Sequence, residues 1–244
     1  LRAISIPQLQ NGGDLSIPSG AMRSCGALKA IVIPNGIYLI GSAAFKFCYS
    51  LEIVSMPRGI TLMNYAEIFY SCLSMKSIVL PDNVSNLGDY VFAYCYSLEK
   101  MTLPNSLYSI GIYAFYYCYS LGEITLSSNF TRATSYSFRS CIALKSIVIP
   151  SAATNLDPYC LADCVALQSV TISSSVSSIG TYALSNTPTL KEIILQPTTP
   201  PALANVNALE GISPLCRIKV PAASLSAYRS ASNWSTYANY MEGY

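Results

Sequence analysis

Nine cysteines are the residues of this 244-residue chain whose type and spacing could do chemistry. Seven of them, Cys25, Cys48, Cys72, Cys95, Cys118, Cys141 and Cys164, follow one another at intervals of 23 or 24 residues. A cysteine becomes a nucleophile or a metal ligand as its thiolate, which needs a cationic or metal neighbour to lower the thiol pKa. No basic partner accompanies the column, and the chain has no histidine. Ser-His-Asp and Cys-His systems and histidine-based metal sites are thereby excluded. Disulfides fit poorly too. Residues at the same place in stacked repeats lie about 4.8 Å apart with parallel Cα–Cβ bonds, whereas a disulfide needs Cβ atoms about 3.8 Å apart and a torsion near 90°. The expectation is a column of reduced, buried thiols serving as small apolar fillers. Cys160, four residues before Cys164 in a slot usually held by Ala, leaves a Cys160–Cys164 contact open.

The other reactive types add no constellation. The 12 carboxylates are spread along the chain without a same-face pair that could act as acid and base. No glycine-rich phosphate loop is present, and three Asn-x-Ser/Thr triplets, at Asn83, Asn129 and Asn233, are what a Ser/Thr-rich chain produces by chance. No catalytic residue, metal site or cofactor is expected.

The cysteines mark a repeat, and the repeat dictates the elements. Each unit carries a strand written Leu-x-x-Ile-x-Ile-Pro, at 1–7, 28–34, 51–57, 75–81, 98–104, 121–127, 144–150, 167–173, 190–196 and 215–221. Its first, fourth and sixth residues face inward and its third and fifth outward. Proline, lacking an N–H for the ladder, closes it. Ile-Gly follows, as at Ile40-Gly41 and Ile110-Gly111, where glycine suits a positive φ or a tight backbone approach. Ala44, Cys48 and Leu51 then recur at helical spacing, predicting one or two helical turns. One unit cannot bury its own apolar side, so units must stack. The predicted fold is an α/β leucine-rich-repeat solenoid: right-handed, with about ten short parallel strands on the concave face and short helical turns on the convex face.

The solenoid is expected over residues 1–221, with an irregular first repeat at 1–27 containing the insertion Gln8 to Gly13, and a last coil at 196–221. A helical cap is expected over 222–244. Ser224 would be its N-cap and Trp234, Tyr237 and Met241 its apolar stripe. Such a cap would cover the open edge of the last coil.

Composition narrows the partners. Charged residues are 11% of the chain, against roughly 25% in an ordinary soluble domain. A net charge of +2 gives no basic field for a phosphate backbone, so nucleic acid is not an expected partner. No apolar run reaches the roughly 20 residues needed to span a bilayer. The chain starts inside a strand pattern and is read as a mature or trimmed product whose leader, if any, has been removed.

The motif Ile-Gly-x-x-Ala-Phe-x-x-Cys-x-x-Leu-x-x-Ile-x-Ile-Pro, followed closely from Ile110-Gly111 through Phe115, Cys118 and Leu121 to Leu126, resembles the BspA-like, or Treponema pallidum type, leucine-rich repeats. The tail from Ile218 to Tyr228 and on to Asn233-Trp234 looks like the C-terminal cap of secreted members from anaerobic gut and oral bacteria. The resemblance implies a cell-surface or secreted protein, adhesin-like, that binds host matrix proteins, other bacteria or glycans. Fold does not assign the ligand.

Two surfaces are candidates. On the strand face, Ser55, Ser77, Lys100, Thr102, Glu123, Thr125, Ser146 and Thr171 make a small, mildly polar row that could hold a macromolecule. Sheet propensity alone would also select such residues. On the outer wall, Tyr90, Tyr113, Tyr136, Tyr159 and Tyr182 fall 23 residues apart. Their rings suit sugar or protein recognition, or simply stack on one another as filler. The second strand position alternates Lys29, Glu52, Lys76 and Glu99, which reads as register-keeping. The function expected is non-catalytic binding of a protein or glycan by a monomer outside the cell or on its surface. A polysaccharide-acting parallel β-helix enzyme and a structural spacer of a larger surface protein are the alternatives.

Overall fold

The computed structural model describes residues 16–244 and the backbone of the strand Ile4–Ser5. Of the first expected strand, only the pairing of Ile4 and Ser5 with Ile31 and Val32 is described. Arg2, Ala3 and the Gln8 to Gly13 insertion lie outside the described residues.

Successive coils lay down parallel strands at Ala30–Val32, Ile53–Ser55, Lys100–Thr102, Glu123–Thr125, Ser146–Ile149, Ser169–Ile172, Glu192–Leu195 and Arg217–Val220. Equivalent residues pair across coils: Met101 lies opposite Ile124, and Val170 opposite Ile193. The period-2 pattern dictates this register, because a slip of one residue would expose every inward side chain. Ile31, Met101, Ile124, Ile147, Val170, Ile193 and Ile218 are buried, as is the leucine column Leu28, Leu51, Leu98, Leu121, Leu144, Leu167 and Leu190. Behind them Phe45, Phe69, Phe92, Phe115 and Phe138 stack ring on ring, 5.2 to 5.5 Å apart, along the middle of the core. The leucine-rich-repeat solenoid is the observed fold.

The outer wall is built from β-turns rather than helix, despite its helical spacing. Lys46 N–H donates to the Ala43 carbonyl and Cys48 N–H to that of Phe45, both closing four-residue β-turns. The amides between them point along the stack: Ala43, Phe45 and Phe47 donate to Ala66, Ile68 and Tyr70 of the next coil, each at 2.9 Å. Left-handed residues at two places per coil, such as Ala43 (φ 54°) and Phe47 (φ 64°), produce this alternation. A helix would spend all its amides internally, whereas this wall spends every second one on binding coil to coil.

Two-residue strands at the Ile-Gly corner form a second parallel sheet that the sequence reading did not anticipate: Asn86–Leu87, Ser109–Ile110, Arg132–Ala133, Asn155–Leu156, Ser178–Ile179 and Ala202–Leu203. Close approach requires glycine at this corner in some coils, while Thr134 and Asp157 hold the equivalent place in others. A Cβ on Gly111 would sit 2.4 Å from Asp89 N, and one on Gly88 2.1 Å from Tyr65 O.

Two further expectations change. The stretch 75–81 forms no strand, and the face sheet is interrupted between Ile53–Ser55 and Lys100–Thr102. The extra residue of the 24-residue step from Cys48 to Cys72 falls in the same coil, between Met63 and Cys72. After Pro221 the chain forms a helix at Leu225–Ser230, a 3-10 segment at Trp234–Tyr240 and a strand at Met241–Gly243, which pairs in parallel with Arg217–Val220. Ser224 occupies the N-cap position but its side chain caps nothing. It ends a preceding 3-10 turn at Ala222–Ser224, with φ −102° and ψ −3°. Trp234, Tyr237 and Met241 are buried, as the stripe predicts, and so is Tyr228. Prolines of the last coil receive the segment: Trp234 Nε1 donates to Pro201 O at 2.7 Å and the Tyr228 hydroxyl to Pro197 O at 2.8 Å.

Candidate functional site

From Cys48 to Cys164 the cysteine column is sealed into the core, while its first member, Cys25, is exposed. Each thiol donates to the carbonyl of the aromatic slot one coil earlier: Cys72 to Phe45 (3.3 Å), Cys95 to Phe69 (3.2 Å), Cys118 to Phe92 (3.2 Å), Cys141 to Phe115 (3.3 Å) and Cys164 to Phe138 (3.2 Å). All nine cysteines are free, and Cys25 is the exposed one. Cys160 lies nearest the Ala183 carbonyl, at 3.8 Å, and is not joined to Cys164. Burial pushes the Cys48 thiol up to about 11 and those of Cys95 and Cys164 up to about 12. A nucleophile or metal ligand needs the opposite shift. Among the described residues, no group of three or more cysteine or carboxylate side chains could hold a metal ion.

The five expected tyrosines do form a column. Centroids from Tyr90 through Tyr113, Tyr136 and Tyr159 to Tyr182 are 4.7, 4.5, 4.7 and 4.9 Å apart, with nearly parallel planes. All five occupy the left-handed region, at φ 55 to 59°. That conformation costs a non-glycine residue about 1–2 kcal/mol, and each stacked pair returns about 0.5–1.5 kcal/mol. The stack therefore offsets the strain of the turns carrying it. It also occupies the ring faces. The Arg139 guanidinium lies over Tyr136 and Tyr159, 5.7 and 5.3 Å from their centroids, while Lys46 lies 4.4 Å from that of Tyr70. The Tyr182 hydroxyl accepts from Asn207 Nδ2 at 2.8 Å. Half-buried edges are left for solvent, so a sugar seeking a ring face finds the column interior closed.

On the strand face, Ser55, Ser77, Lys100, Thr102, Glu123, Thr125 and Ser146 are exposed and Thr171 is half-buried. Lys100 lies opposite Glu123, and Thr102 opposite Thr125, so these four form a compact patch. Ser77 stands apart on the stretch outside the ladder. At the second strand position, Lys29–Glu52 and Lys76–Glu99 approach to 4.0 Å, both exposed. The Glu52–Lys76 step, which crosses the break in the sheet, forms no ion pair.

Two features of this face were not singled out from sequence. One is a cleft of about 490 Å³ at the break, between Ile53–Met56 and Val79–Asp82, where Val79 is 83% exposed. The other is a charged cleft of about 390 Å³ at the last coils, bearing Lys191, Glu192, Arg217, Lys219 and Glu242. The third and fifth strand positions already put Glu192, Arg217 and Lys219 on adjacent strands. Glu242 had no such signal, because the strand Met241–Gly243 carries no repeat motif.

Stacked coils of a face strand, a short corner strand and a turned wall, locked by columns of leucine, phenylalanine and cysteine, define a leucine-rich-repeat solenoid. The chain belongs to the BspA-type leucine-rich repeat family, whose repeat region is matched in six copies over residues 15–133 and 87–206. Among solved structures it is similar to a leucine-rich repeat protein from Bacteroides ovatus, with a TM-score of 0.75 and 24% identity over 90% of this chain and 63% of that one. It is also similar to the Treponema pallidum leucine-rich repeat protein, at 0.54 and 23% over 77% of each chain. The pneumococcal vaccine antigen PcpA is similar at 0.55 and 16%, over 93% of this chain and 69% of that one. At these identities the likeness is one of fold. No curated protein matches the chain.

Proposed function

We propose that this protein is a non-catalytic, adhesin-like binding protein, acting outside the cell or on its surface, that recognises a host or bacterial macromolecule through its strand face. The observation carrying this reading is the exposed patch of Lys100, Thr102, Glu123 and Thr125, held in register on a repeat scaffold whose cysteine and tyrosine columns are spent on packing. Membership of a repeat family of bacterial surface proteins supports it. The test is a host-protein and glycan array probed with the wild type and with a variant carrying Lys100→Ala, Thr102→Ala, Glu123→Ala and Thr125→Ala. Loss of the wild-type signal in the variant is expected; unchanged binding moves the site off this patch.

The enzyme alternative draws on the second parallel sheet, a feature shared with parallel β-helices. Against it stand, among the described residues, two sheets per coil instead of three. Cleavage of any member of a polysaccharide panel would revive it.

A further inference from the structure

Glu192 and Arg217 are register partners on adjacent strands, a placement in which carboxylate and guanidinium ordinarily attract. They close no ion pair, and the Glu192 carboxylate bonds to Ser169 and Lys219 instead. Oε1 accepts from Ser169 Oγ at 3.1 Å and Oε2 from Lys219 Nζ at 2.9 Å. Those bonds, Lys219 first, hold the Glu192 carboxyl below the usual carboxylate range, so it is ionised and committed. Lys219 in turn lies opposite Glu242 on the final strand, and is flanked by carboxylates on both sides. Arg217 and Lys191 are exposed and, among the described residues, have no ion-pair partner.

Three cations face two carboxylates around this cleft, an excess of one positive charge. The excess sits on a planar fork of five donors beside an ammonium, the geometry that takes a carboxylate. Arg217 also borders an adjoining depression of about 430 Å³ with Asn239, Tyr240 and Leu215, and Leu215 is 83% exposed. An uncommitted cation pair next to an exposed apolar side chain asks for an acid and an apolar group a short distance apart. An extended polypeptide supplies both, advancing about 3.3 Å per residue. A uronic-acid chain supplies only the acid.

We propose that this cleft binds an acidic, extended protein segment, with an Asp or Glu side chain held by Arg217 and Lys191 and a neighbouring apolar side chain against Leu215. The proposal goes beyond the reading of the central patch and names a second site at the last coils, away from Lys100 and Glu123.

Fluorescence anisotropy with a labelled alternating Glu-Leu peptide tests it. A Gln-Leu peptide serves as the neutral control and oligogalacturonate as the acidic sugar. The wild type is expected to bind Glu-Leu in a salt-sensitive manner and to ignore Gln-Leu. The double variant Arg217→Ala, Lys191→Ala should weaken binding by about tenfold or more, and Arg217→Lys should restore only part of the loss. A Lys29→Ala, Lys76→Ala variant, which removes two exposed cations from earlier coils, should bind Glu-Leu as the wild type does, which separates this cleft from a general response to positive charge. Equal binding of Gln-Leu, no binding of Glu-Leu, an unaffected double variant with a native circular dichroism spectrum, or preference for oligogalacturonate would each overturn the proposal.

Discussion

Ser137 is fully buried, and its hydroxyl is the one buried side-chain polar group among the described residues without a hydrogen-bond partner. The slot holds Ala44, Ala114 and Ala183 in other coils. An unsatisfied buried hydroxyl costs about 1–3 kcal/mol, so Ser137→Ala should raise the urea midpoint by a gain of about 1 kcal/mol. A lower midpoint would mean that the hydroxyl is satisfied. The thiols carry a second prediction. Burial holds Cys95 and Cys164 at about 12, against 9.0 for a free thiol. Below pH 9 both folded and unfolded chains keep these protons, and the stabilisation is complete. Between pH 9 and about 12 the unfolded chain binds fewer protons than the folded one, so stability must fall as pH rises, by about 1.4 kcal/mol per pH unit per thiol. Denaturation followed across that range should show the loss, and a flat profile would contradict the burial. At neutral pH, Cys25 alone should react with a thiol reagent before unfolding, and all nine afterwards.

The outer wall carries left-handed backbone at two places per coil. Tyr136 has φ 59° and stacks on both neighbours, at 4.5 and 4.7 Å. Tyr136→Ala should cost about 1–3 kcal/mol through lost stacking. Tyr136→Val should cost more despite its larger apolar surface, because a β-branched residue is badly strained in the left-handed region. Urea midpoints for the pair decide the matter, and a Val variant more stable than Ala would remove strain from the account. Sequence spacing alone suggested a helix here. Helical and left-handed turns place Ala44, Cys48 and Leu51 inward at similar intervals, and the left-handed slots are filled by Ala, Phe, Glu, Ser and Tyr, with Asp163 and Asn186 in the later coils, instead of the usual Gly.

At the scale of the molecule, the coils are alike in the middle and the C-terminal segment packs on the last coil at one end. Trp234 is buried and ties this segment to Pro201. Trp234→Ala should cost about 3–5 kcal/mol, the range for deleting a large buried aromatic side chain. Calorimetry would register it as a lower Tm, and an unchanged Tm would show that the segment does not support the last coil. The 23-residue period, the inward and outward residues of each strand and the packed thiol column were legible in the sequence. They follow from a single repeating unit that must bury the same side chains in each copy. The second sheet, the break at residues 75–81 and the charged cleft around Arg217 were settled by the tertiary structure. Each depends on which backbone or side-chain group meets which across coils more than 20 residues apart, and such pairings leave no local pattern to read.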